Sequence, residues 1–125
     1  MEEKMNKEKL TLYLMIGEIK FSATLENNET TKELLQRLPL EIEMKELNGN
    51  EKYYYFDEHL PRNASLVNKI NVGDIMLFGD NCLVIFYQSF ATSYSYTKLG
   101  KIDNPDSLAE VLGSGNIKVK ILKGN

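Results

Sequence analysis

The sequence predicts a mainly β domain closed into a barrel of about eight strands and capped by two short helices. Period-two alternation of apolar and polar residues recurs in run after run, and Gly- or Asn-bearing turns separate the runs. Two short segments carry helix start and stop signals instead. A chain of 125 residues suits one hydrophobic core and buries roughly two-thirds of its unfolded surface. Its 42% hydrophobic and 26% charged content is that of a folded protein, not of a disordered one.

The first nine residues are charged and read as a flexible N-terminal segment, with 10–125 forming a single domain. Leu10, Leu12, Leu14 and Ile16 alternate with Thr11, Tyr13 and Met15, which is a strand. Past Gly17, Ile19, Phe21, Ala23 and Leu25 alternate with Glu18, Lys20, Ser22 and Thr24, so the two strands read as a hairpin. Thr30 and Glu33 have capping-box spacing, Leu34, Leu35 and Leu38 form one apolar face, and Pro39 ends the helix. Such a short helix must plug against a sheet or a barrel end.

Leu40, Ile42 and Met44 resume the period of two, and the Asn48-Gly49-Asn50 turn leads into Lys52–Phe56, a second hairpin. Residues Asp57 to Ile70 have no period and read as a long loop with a short strand near Leu66–Ile70; loops of that length tend to carry function. Ile75–Phe78 and Cys82–Tyr87 are nearly continuous apolar runs, which predicts strands covered on both faces. Tyr94 and Tyr96 alternate with Ser93, Ser95 and Thr97 in a more polar strand ending near Gly100. Asn104 as N-cap, Pro105 at the first helical position and Gly113 past the last turn frame the second helix. Ile117, Val119 and Ile121 form the last strand.

Composition removes several function classes. With 15 Lys plus Arg against 18 Asp plus Glu, the net charge is -3, and the signs alternate without a basic patch for nucleic acid or anionic lipid. The longest apolar stretch at the start, Leu10–Ile16, is interrupted by Thr11 and Tyr13 and is too short for a signal peptide or membrane span. The chain reads as cytoplasmic, although one that had lost a leader would look the same. Cys82 is the only cysteine, so no intrachain disulfide can form.

LPLEIEM (Leu38–Met44), EKYYYF (Glu51–Phe56), VGDIMLFGDNCLVIFYQSF (Val72–Phe90) and YTKLGKI (Tyr96–Ile102) resemble a family of small bacterial cyclophilin-like domains. The resemblance runs from about Phe21 to the end of the chain and implies a closed eight-stranded cyclophilin-like β-barrel with two helices capping its ends. Cyclophilins proper are prolyl isomerases. Their arginine hydrogen-bonds the prolyl nitrogen and weakens an amide whose rotation barrier is roughly 18–20 kcal/mol. Their Phe-His-Arg stretch and Phe-Met-x-Gln-Gly-Gly-Asp-Phe run are absent here, and the chain has no Trp. The likeness therefore speaks for the barrel more than for the reaction.

Catalytic, cofactor and metal motifs are not found. His59 beside Asp57 and Glu58 could be a general base, but reads first as a solvated loop residue. One Cys and one His cannot fill a tetrahedral zinc site. Asp103-Asn104-Pro105-Asp106 reads as helix capping, and Cys82 as a small strand hydrophobe. Of Phe56, Phe78 and Phe86, most are expected in packing. Tyr87, Gln88, Phe90, Tyr94 and Tyr96 combine apolar walls with hydroxyls and an amide, the make-up of a ligand groove. Arg62 is the candidate stand-in for the isomerase guanidinium.

Three functions follow. The first is a non-catalytic binding domain that holds a peptide or small ligand in an aromatic groove. The second is a divergent prolyl isomerase using Arg62 with Phe86, Tyr87 and Phe90. The third is an accessory module for a protein partner, because cyclophilin-like barrels also occur within larger amide-hydrolysing assemblies.

Overall fold

The computed structural model describes residues 10–124; the expected flexible segment 1–9 lies outside them. In chain order the elements are β1 (Leu10–Ile16), β2 (Ile19–Leu25), α1 (Glu29–Arg37), β3 (Leu40–Leu47), β4 (Glu51–Tyr55), β5 (Ser65–Leu66) and β6 (Lys69–Ile70). Then follow β7 (Asp74–Phe78), β8 (Cys82–Phe86), β9 (Phe90–Ala91), β10 (Ser95–Ile102), α2 (Leu108–Leu112) and β11 (Ile117–Lys123). Eight strands pair in the order β2-β1-β11-β3-β4-β8-β7-β10, and β10 returns to β2. All these pairings are antiparallel, so the sheet closes into an eight-stranded barrel with no open edge along the ring. The short β5 adds to β10, and β6 pairs with β9 as a separate two-stranded ribbon.

Period-two alternation sets what fills the barrel. Leu12, Leu14 and Ile16 of β1 meet Phe21, Ala23 and Leu25 of β2, and Ile42, Met44, Ile75, Leu77, Leu83, Ile85, Val119 and Ile121 complete the lining. Leu34 from α1 and Leu108 and Leu112 from α2 are buried in the same core, which is how helices this short hold their place. The turn between β3 and β4 has Asn48 and Gly49 at φ 56 and 69, the left-handed pair that a tight hairpin needs.

The closing seam depends on Gly100. It pairs with Leu25 beside a bulge between Lys98 and Gly100, and a Cβ there would collide with the Thr24 carbonyl oxygen and lie 2.9 Å from the Leu25 Cα. Because Gly100, Lys101 and Ile102 complete the pairing with β2, β10 runs to Ile102 and does not stop near Gly100.

Both helix starts differ from the expected ones. Asn28, not Thr30, caps α1: its Oδ1 accepts from the Thr31 N–H at 2.9 Å, and Thr31 Oγ1 accepts from the Asn28 N–H at 3.2 Å. Thr30 instead donates its hydroxyl to the Pro61 carbonyl, fastening the long loop to the helix. Helix α2 begins at Leu108, after a turn in which the Pro105 carbonyl accepts from the Leu108 N–H. The chain stays tied to β2 through Asp103, whose N–H donates to the Ser22 carbonyl at 2.9 Å, so Asn104 is too early to start a helix.

A second core lies outside the barrel wall. Met76, Cys82, Val84, Phe86 and Tyr96 alternate with the interior residues of β7, β8 and β10 and pack with Ile70 and Phe90 from the β6–β9 ribbon. That covering explains why β7 and β8 are apolar on both faces.

Candidate functional site

Beyond the ribbon's cover, the same outer face opens into a cleft of about 370 Å³. Strand β4 supplies Glu51, Tyr53 and Tyr55, which share a face because they are two residues apart. Register places Tyr53 opposite Val84 and Tyr55 opposite Cys82, so β8 forms the floor. Phe78, paired with Cys82 at the end of β7, joins Tyr94 and Tyr96 in the far wall, and Leu47 closes one end. Tyr53 and Tyr55 meet edge-to-face at 5.7 Å. Across the floor, Phe78 meets Tyr94 at 5.8 Å and Tyr96 at 5.6 Å. Two strand spacings separate β4 from β7, about 10 Å between backbones, enough to admit one planar group between the walls.

The cleft concentrates apolar surface. Six large hydrophobic side chains are exposed among the described residues, and four of them, Leu47, Tyr55, Phe78 and Tyr94, line this one depression. Its electrostatics are one-sided. Glu51 is the only charged residue in the lining. Burial, and then the neighbouring Glu46 carboxylate, push the Glu51 carboxyl above its ordinary value. Burial raises the Tyr96 phenol too, with Glu51 adding to it. The Cys82 thiol is pushed up to about 11, chiefly by burial. It is therefore neutral at physiological pH and no nucleophile.

The residues expected to form a groove separate into three groups. Tyr94 and Tyr96 line the cleft. Phe90 sits on the ribbon and packs on Phe86 at 5.6 Å, bracing the second core. Tyr87 is buried in the main core and donates its hydroxyl to Glu46 Oε1 at 2.7 Å, while Gln88 is exposed beyond it, and neither reaches the cleft. Arg62 is exposed in the loop, where its charge acts on Asp80. His59 also turns to Asp80, with Nδ1 2.7 Å from Oδ2. This hydrogen bond, more than any other influence, holds the Asp80 carboxyl below its usual range.

Leu47, Glu51, Tyr53 and Tyr55 line the cleft without having been singled out in the sequence, and Phe78, Cys82 and Val84 line it where they were expected only in packing or in a covered strand. The phase of β4 is hidden by Lys52, a residue that normally marks a wet face but here points into the barrel with none of its side chain exposed. Lys52 Nζ donates to Glu46 Oε1 at 2.8 Å and to the Gly113 and Gly115 carbonyls. The Tyr87 ring lies 5.4 Å away. With Lys52 and Phe56 inside, Tyr53 and Tyr55 must face out. Phe78 also departs from expectation: Phe56 and Phe86 are buried, whereas Phe78 is exposed at the strand end.

A second depression, about 520 Å³, lies along the β2–β10 seam. It is polar, and its three lysines, Lys69, Lys98 and Lys101, face three acids, Glu26, Asp74 and Asp103. Asp103 is already engaged, accepting from Ser22 Oγ at 2.8 Å and Thr24 Oγ1 at 2.6 Å. Among the described residues no cluster of three or more His, Cys, Asp or Glu is placed to hold a metal ion. Nor is any helix among them long and apolar enough to cross a membrane.

In fold the chain is similar to the solution structure of the hypothetical protein AF2241 from Archaeoglobus fulgidus. The TM-score is 0.68 at 14% identity, covering 93% of this chain and 95% of that one. No curated protein matches the sequence. The profile of the Cyclophilin-like family matches residues 14–122, nearly the whole barrel, and the chain belongs to that family.

Proposed function

We propose that this protein is a non-catalytic binding domain that holds a peptide segment or small ligand in the aromatic cleft between β4 and β10. The observation carrying this reading is the convergence of four exposed large hydrophobics on one depression. Exposed apolar surface costs free energy when left wet, and clustering it in a concavity with hydroxyls and one carboxylate is the usual form of a ligand site. The volume, about 370 Å³, lies at the small end of ligand pockets and suits one or two side chains or a compact molecule.

Catalysis has less support at this position. Prolyl isomerisation needs a guanidinium beside an apolar pocket, and neither arginine lines the cleft. Arg37 is held by Glu33 and by the Glu58 and His59 carbonyls, and Arg62 is exposed in the long loop, outside the cleft lining.

Ligand-observed NMR with a library of aromatic fragments and short capped peptides tests the reading. Wild-type protein is expected to give saturation-transfer signals that disappear in Tyr55→Ser/Tyr94→Ser. Both rings are more than half exposed, at 58% and 62%, so the fold should tolerate their loss within about 1 kcal/mol. Undiminished signals in the double variant would place binding elsewhere and overturn the proposal.

A further inference from the structure

We infer that the occupant of the cleft is a small organic cation, an ammonium group carried on an apolar or aromatic body. The inference rests on the binding-domain reading and adds the ligand's charge. Glu51 is the single charged residue in the lining, and among the described residues no hydrogen bond or ion pair is made to its carboxylate. A half-buried carboxylate without a counter-charge is costly, and a ligand cation is what would relieve it. The walls are five aromatic rings, Tyr53, Tyr55, Phe78, Tyr94 and Tyr96, whose electron-rich faces attract ammonium groups and repel an anion.

The surrounding charges sharpen the choice. Lys45 is the cation that lies beside Tyr53, and it lines the adjoining hollow together with Glu43, across the Tyr53 and Tyr55 rings. Lys52, next in sequence to Glu51, points to the opposite face of the sheet and is held by Glu46. Glu46, in turn, adds negative potential at Glu51. An anionic ligand would therefore meet a carboxylate and no donor of positive charge, and a neutral one would leave Glu51 unpaired.

Chemical-shift titrations of the labelled protein with three isosteric probes, phenethylammonium, 2-phenylethanol and 3-phenylpropionate, test this directly. Phenethylammonium is expected to shift the β4 and β8 amides with an affinity about tenfold above that of the alcohol, with 3-phenylpropionate weakest. In Glu51→Gln the amine should lose most of its advantage and keep only the few-fold preference that the aromatic rings supply, and retained alcohol binding shows that the variant's cleft is intact. Equal affinities for amine and alcohol in the wild type would overturn the cation while leaving the cleft as an apolar site. Amine binding unchanged in Glu51→Gln would put the ammonium elsewhere and overturn it as well. Should neither the three probes nor a capped Ala-Lys-Ala peptide shift cleft amides, both readings fall. If a capped Ala-Lys-Ala peptide shifts them and phenethylammonium does not, a peptide is the occupant and the small-cation inference is wrong.

Discussion

Replacing Lys52 by methionine removes an ammonium from the barrel interior while nearly keeping its length and volume. In the native protein Nζ donates to Glu46 Oε1 and to two carbonyls after α2, those of Gly113 and Gly115. Without it the two carbonyls lose a charge-assisted donor, worth about 1.5–3 kcal/mol, and Glu46 loses its counter-ion. Truncating one partner of a buried pair costs about 3–5 kcal/mol. Glu46 keeps 23% of its side chain exposed and can rehydrate, which puts the expected loss near the lower end, about 3 kcal/mol. For a domain of this size that is about 10 °C in Tm, measured by calorimetry or circular dichroism.

The acid limb of the stability curve gives an independent readout. Burial opposes ionisation of Glu46, but hydrogen bonds from Lys52, Tyr87 and the Gly49 N–H outweigh it and hold the carboxyl below its ordinary value. A depressed folded value stabilises the protein above the unfolded value, about 4.3, and this stabilisation is lost as pH falls through the folded one. Lys52→Met should flatten that limb. A Tm within 2 °C of wild type, with an unchanged acid limb, would refute the view that Lys52 ties β4 to the chain after α2.

Four further outcomes follow from the same geometry. Glu51→Gln should raise the unfolding midpoint at neutral pH, because a carboxyl with a raised folded value costs stability when ionised; the gain should vanish below the ordinary carboxylate range. Phe86→Ala removes the centre of the outer core, where the ring meets Phe90 and Tyr96, and should cost about 3–5 kcal/mol in denaturant titrations. Gly100→Ala should cost at least about 1–3 kcal/mol, since the contact it makes is with backbone across the seam. Cys82, with a value near 11, should react with a thiol reagent at pH 8 on the order of a hundredfold more slowly than a free cysteine.

The barrel was legible because most of its strands obey period two: each of Leu12, Leu14, Ala23, Met44 and Val119 is buried where alternation places it, and the continuous apolar runs of β7 and β8 are covered on both faces as expected. The helices were legible as existing but not in their starts. Capping preferences are local, whereas Thr30 is taken by the Pro61 carbonyl and Asp103 by β2. Of the site, Tyr94 and Tyr96 were legible from aromatic clustering along the chain. The opposite wall was not, because Tyr53 and Tyr55 join them only through the pairing of β4 with β8, and a buried lysine disguises which way they face. Tyr87 misled for the converse reason: beside the aromatics in sequence, it points into the barrel toward Glu46.

A crystal structure of the protein soaked with the strongest binder from the fragment and peptide library decides whether ligands seat in the aromatic cleft. Density is expected over Val84, between the Tyr55 and Tyr94 rings. Density in the polar depression along the β2–β10 seam, with the aromatic cleft empty, would contradict it.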